Sequence, residues 1–398
     1  MTIILKSSFV LLSGLAIALS CGSSKSFEAK GNSEKPIVEN SNPEKPVAPI
    51  KTGADNFDKY LPALKGKKVG IVTNQTGILS DKTHLVDFLL EKKISIQKIY
   101  APEHGFRGTA DAGELIKDGK DTQTGLPIIS LYGDNKKPKP EQLKGIDILV
   151  FDLQDVGARF YTYISSLHYV MEACAENNIP LVILDRPMLE KENTSFIGMH
   201  PIPVLHGMTI GEYGKMINGE KWLKNGIQCE LTVIPCLNYT KEMPYSLPVK
   251  PSPNLPNDQS INLYASLCFF EGTNVSLGRG TEKQFQIYGS PFLPKNGFSF
   301  TPKPNFGAKD PLHNGKVCYG EDLTAISKVS GLQLKWLLKA YNSTSDKSKF
   351  FIPFFTKLAG TKKLQEQIEA GMTEAEIKKS WQGGIEDFKK IRKNYQIY

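Results

Sequence analysis

The 398-residue chain has only six cysteines, and no two of them stand in a CxxC pair. Setting Cys21 aside leaves an odd number, Cys174, Cys229, Cys236, Cys268 and Cys318. That argues against a disulfide framework and a structural zinc site, and the five read as small buried hydrophobes. GxSxG and HExxH are absent, so neither a serine-esterase elbow nor a zincin helix has support. The glycine-rich stretch EGTNVSLGRG at 271–280 has neither dinucleotide-fingerprint nor P-loop spacing. Charge of one sign does not cluster. The formal net charge is +8, but the lysines are scattered, which argues against nucleic acid as a partner. A mildly basic protein still suits a polyanionic wall or an anionic sugar. No metal and no organic cofactor is expected.

The one long apolar run lies at the start. Lys6 precedes residues 9–19, interrupted only by Ser13 and Gly14, and Ser20-Cys21-Gly22 follows. A positive start, a short apolar stretch and a small residue before the boundary describe a secretory signal over 1–21, too short to span a bilayer comfortably. Cys21 after a small residue resembles the lipobox of bacterial lipoproteins, with Ala18 and Leu19 in the reverse of the usual order. Residues 22–52, rich in Ser, Lys, Glu, Asn and Pro, read as a disordered linker. The chain is thus expected to be an exported bacterial lipoprotein, periplasmic or outer-membrane-associated. Its only membrane contact would be a lipid on Cys21.

At 40% hydrophobic and 23% charged, the remainder is long enough for two subdomains. Apolar runs at 67–74, 94–101, 126–131, 145–151 and 180–184 read as strands. Residues 84–93 and 161–177 have helical periodicity. This alternation predicts a Rossmann-like parallel sheet over 53–198. Thereafter a helix at 209–218 capped by Thr209, a strand at 229–235, a Pro-rich loop at 250–256 and C-terminal helices predict a smaller α+β subdomain over 199–398. The segment 292–311 reads as a surface loop.

Strand ends carry the chemistry: Asn74 and Gln75, Glu103 and His104, Asp152 and Asp155, Asp185 and Arg186. In a parallel sheet these ends share one edge, where open α/β sheets bind ligands. In Ala101-Pro-Glu-His-Gly-Phe-Arg-Gly108 a carboxylate in a closed cleft can act as a general acid; a purely structural alternative pairs Glu103 with Arg107. Either Asp152 or Asp155 is a candidate second carboxylate, and His104 a candidate to orient Glu103. Arg159 and Tyr161 are candidates for an anionic substituent and a sugar face. Glu271, Asn274 and Arg279 suit a loop that hydrogen-bonds a polar ligand, and Asn254 can read hydroxyl or acetamido groups. His206 either enters the cleft or packs.

Taken in order, APEHGFRG, FDLQDVGARFYTY, LDRP, HPIPVLHGMTIGE, PSPNLP and FEGTNVSLGRG resemble the exo-β-N-acetylmuramidase family, long catalogued as a domain of unknown function. The resemblance implies a Rossmann-like subdomain joined to a smaller one, with the active site in the cleft between them. It implies removal of terminal N-acetylmuramic acid from the non-reducing end of peptidoglycan fragments, with Glu103 as the catalytic glutamate. That reaction needs a carboxylic acid and a second carboxylate or equivalent. The sugar's lactyl carboxylate calls for an arginine, with Arg159, Arg186 and Arg279 as candidates. Two departures stand out: the stretch after Asp185-Arg-Pro187 is shortened, and Gln284 stands where an Arg-Pro pair is common. Two other classes fit the same features, a non-catalytic muropeptide-binding lipoprotein and an amidase or esterase acting on the same polymer.

Overall fold

The computed structural model describes residues 48–106, 118–189, 199–295 and 297–398. The expected signal segment, including Cys21, lies outside these residues, as do Arg107 and most of the shortened stretch after Pro187.

Among the described residues two sheets form. The larger has the order β3-β4-β2-β1-β5-β6-β7. Its strands are β1 (Lys68–Thr73), β2 (Ser95–Ala101), β3 (Gly119–Lys120), β4 (Pro127–Ser130), β5 (Ile148–Asp152), β6 (Leu181–Leu184) and β7 (Leu231–Ile234). Every pairing is parallel except β3 with β4. The smaller sheet is antiparallel, β8 (Ile287–Ser290), β10 (Cys318–Asp322) and β9 (Phe298–Phe300), with β10 central. The longer helices are α2 (Leu85–Glu91), α4 (Tyr163–Glu176), α5 (Ile210–Gly219), α6 (Asp258–Leu267), α7 (Lys335–Ser343) and α11 (Gln382–Lys393). No longer than α2 are α1 (Leu61–Leu64), α3 (Pro140–Leu143), α8 (Phe354–Ala359), α9 (Lys363–Glu369) and α10 (Glu374–Lys379).

The large sheet is covered on both faces, so its central strands are apolar throughout. Alternate residues nonetheless go to different cores. Val69, Ile71, Val150, Val182 and Leu184 pack with α2 through Leu85, Val86 and Leu89. Leu149, Phe151, Leu181 and Ile183 face α4 and α5. This second core continues without a break into Leu263, Phe269, Tyr288 and Trp336 of the C-terminal half. From β1 the chain moves outward to β2 and β4, then crosses to β5 on the other side of β1. That reversal makes a crevice at the carboxyl ends of β1 and β5, where such sheets take ligands.

Three expectations need correction. The linker does not run to residue 52. Lys51 pairs with Leu237, and a Cβ on Gly53 would sit 2.4 Å from the Asp185 nitrogen and the Ile234 oxygen, so the chain is already wedged against the ends of β6 and β7. The large sheet does not stop at residue 198, because β7 extends it beyond β6. The segment 292–311 holds β9, which pairs with β10.

Candidate active site

β2 ends at Ala101, and Pro102 starts a tight turn that throws Glu103 out over the crevice. The turn needs two consecutive left-handed residues, His104 at φ 72° and Gly105 at φ 76°. Glycine takes that conformation freely; histidine does so at a cost of order 1–3 kcal/mol, a strain that collects at functional sites. Thr162, at the start of α4, donates to Glu103 Oε2 at 2.8 Å. Beneath, Asn74 Nδ2 donates to the Tyr163 hydroxyl at 2.6 Å, and that hydroxyl lies 3.5 Å from the Glu103 carbonyl oxygen. Asn74 Oδ1 is taken by the Thr76 N–H and hydroxyl. The ends of β1 and β2 and the start of α4 therefore fix one carboxylate together.

Glu103 borders a cavity of about 210 Å³. His104, Phe160, Tyr161 and Thr162 form one side, Asn254, Tyr264, Glu271, Arg279 and Phe354 others. Tyr161 donates to the Pro251 carbonyl at 2.9 Å, and its ring meets Tyr163 and Tyr264 edge to face. The Pro251 carbonyl also accepts from Gln75 at 3.0 Å, so the Pro-rich loop is tied to the end of β1. Arg279 donates to Glu271 Oε1 at 2.6 and 3.1 Å. Burial alone would lower the Arg279 pKa, but the facing Glu271 charge outweighs it and holds the guanidinium above its ordinary value. Glu103 and Glu271 are thus the two carboxylates on this wall among the described residues.

The other candidates sit elsewhere. Asp152 is fully buried and clamped by Arg186 at 2.6 and 2.9 Å, while Arg186 also donates to the Ile78 carbonyl. The pair is sealed inside the protein and neither member borders the cavity, so neither the second-carboxylate role for Asp152 nor the substrate role for Arg186 fits. Asp155 accepts the Gly157 N–H at 2.7 Å and lies 3.5 Å from His206, behind the cavity rather than on it. His206 is fully buried against Tyr213. Asn274 is likewise off the cavity; its backbone carbonyl accepts from Ser290 and His313. Arg159 is buried, donates to the Leu358 carbonyl at the end of α8 and has no carboxylate partner among the described residues. Burial pushes its pKa down to about 9. Asp185 accepts from Thr209, Gly211 and Tyr398, and burial raises its pKa to about 6. Thr162, Phe160 and Tyr264 were not singled out from the sequence. For Thr162 a signal existed, a hydroxyl flanked by the tyrosines at the start of a helix that follows a strand-end aspartate.

Family models for the N- and C-terminal parts of the exo-β-N-acetylmuramidase NamZ match residues 69–259 and 262–398. The chain belongs to the NamZ family. It is 38% identical to the peptidoglycan β-N-acetylmuramidase NamZ of Bacillus subtilis, over 92% of this chain and 95% of that protein. Two crystal structures of DUF1343 family proteins from Bacteroides fragilis share its fold. One has a TM-score of 0.82 at 42% identity, the other 0.72 at 27%; each match covers 88% of this chain and 99% of the other. The two NamZ models meet within the first turns of α6, about 60 residues beyond the boundary expected at 198. Gln284, one of the departures from the NamZ pattern, is buried.

Proposed function

We propose that the chain is an exo-acting glycoside hydrolase that removes terminal, non-reducing N-acetylmuramic acid from peptidoglycan fragments, with Glu103 as its acid and Glu271 as the second carboxylate. The observation that carries the residue roles is the pairing of these two groups on one small cavity, Glu103 held by Thr162 and Glu271 by Arg279. At about 210 Å³ the cavity is below the roughly 300–1,000 Å³ of pockets for drug-sized ligands and suits a single sugar ring. Phe160, Tyr161 and Tyr264 give it apolar walls, Asn254 a polar group.

The chemistry follows from the two environments. Glu103, protonated, donates to the glycosidic oxygen as the C1–O bond breaks. Glu271, held in place by Arg279, faces the positive charge that develops on the ring. Water adds at C1, and its surplus proton returns to the carboxylate pair, so the enzyme ends as it began. Glu103→Gln and Glu271→Gln are each expected to slow release of muramic acid from a MurNAc–GlcNAc disaccharide by about 10²–10⁴-fold. Release at the wild-type rate by either variant would remove that residue from the mechanism.

The same reading takes the protein to the wall. The apolar start followed by Ser20-Cys21-Gly22 and a polar 22–47 stretch supports export with a lipid on Cys21, on the periplasmic side or at the outer membrane. Labelled palmitate should enter the wild type in cells and not Cys21→Ala; equal labelling would sink the assignment.

A further inference from the structure

Glu103 and Thr162 border a second cavity as well, of about 580 Å³. We infer that this larger cavity is the leaving-group subsite, which takes the remainder of the glycan once the terminal sugar is seated in the smaller one. The inference rests on the muramidase reading and adds where the rest of the chain lies.

The argument starts from the acid. A general acid must lie within about 2.6–3.2 Å of the oxygen it protonates, so the bond to be broken passes Glu103 with one sugar on either side. The cavity on the Glu271 side has room for one ring. The glycan beyond the glycosidic oxygen must therefore leave on the other side, and there the second cavity begins.

Its walls have saccharide-binding chemistry. Along α4 and its first turn, Thr162, Ser165, Ser166 and Tyr169 recur at helical spacing and form a hydroxyl stripe leading away from Glu103. The other face of the helix, Ile164, Leu167, Val170 and Met171, is buried against the sheet. Opposite the stripe, the loop after β4 brings Tyr132 and the exposed Lys136. Lys136 has no ion-pair partner among the described residues and Tyr169 is only partly buried, so a cation and an aromatic edge both stand open to a ligand. The Glu271 cavity ends an incoming chain after one unit, while this one extends away from the acid. That asymmetry is what exo-cleavage from the non-reducing end requires.

The test compares two substrates with the same terminal sugar. One is the MurNAc–GlcNAc disaccharide; the other is N-acetylmuramyl fluoride, whose leaving atom needs no room. Two variants change the larger cavity: Ser165→Trp fills it and Tyr169→Ala removes a wall. The ratio of kcat/KM for the disaccharide to that for the fluoride is expected to fall by about tenfold in each, the scale of a lost aromatic contact or a blocked subsite. An unchanged ratio in both variants, whether the separate rates hold or fall together, would overturn the assignment. Wild type inactive on both substrates would overturn the muramidase reading instead, which keeps the two failures apart.

Discussion

Asp152 and Glu103 are both carboxylates at the ends of parallel strands, β5 and β2, that flank β1, and burial separates their roles. Asp152 has no exposed surface and lies against an arginine that is 3% exposed; Glu103 is partly exposed on a cavity. A buried ion pair contributes little net stability, but removing one partner leaves a naked charge and costs about 3–5 kcal/mol. Asp152→Asn is therefore expected to lower Tm by several degrees, whereas Glu103→Gln loses activity with Tm near that of the wild type. Thermal unfolding of both variants checks this; an Asp152→Asn protein as stable as the wild type would return Asp152 to the list of candidate catalysts. The same contrast explains what was legible at the site. Strand-end position singled out Glu103, and residue type in a glycine-rich loop and at a helix start singled out Glu271, Arg279 and Tyr161 as ligand contacts; all four line the cavity. Strand-end position also identified Asp152 and Arg186, because the pairing that disqualifies those two joins positions 34 residues apart. Thr162 escaped notice for a related reason: its partner is 59 residues away. Sequence spacing carries no trace of either contact.

At the scale of elements, legibility followed burial. Apolar runs located β1, β2, β4, β5, β6 and β7, all in a sheet covered on both faces. Periodicity located α2 and α4, and Thr209 marked the start of α5, where the structure adds Glu212 to complete a capping box. The small sheet was missed. β8, β9 and β10 are three to five residues long, and the sequences IYGS, FSF and CYGED contain neither a long apolar run nor a clean alternation. What makes them strands is mutual pairing on a surface prepared by the C-terminal helices, a tertiary cause that local pattern does not carry. Their consequence for the site is indirect. β8 follows the loop that carries Arg279, and Phe285 just before it packs under the Arg279 guanidinium at 5.2 Å.

For the whole molecule, two matched family models do not amount to two independent folding units. The core on the α4 and α5 face of the large sheet runs through to the C-terminal helices. The last residues return to the first half: Tyr395 donates to Glu220 and packs on Gly219, the Ile397 N–H reaches Glu212, and the Tyr398 hydroxyl donates to the buried Asp185. A fragment of residues 48–261 would uncover that core and take from Asp185 the Tyr398 hydroxyl that donates to it, in a site already unfavourable to its charge. It is expected to bind ANS, lack near-UV dichroism and melt without a sharp transition. A cooperative transition in the fragment would show that the first half stands alone.

All five described sulfhydryls are interior and unpaired. In the folded enzyme a bulky maleimide finds none of them at the surface, so their labelling must wait for the structure to open. The rate of modification is then a clock for unfolding that needs no introduced cysteine, since all five native thiols are free and none is joined by a crosslink that has to break first.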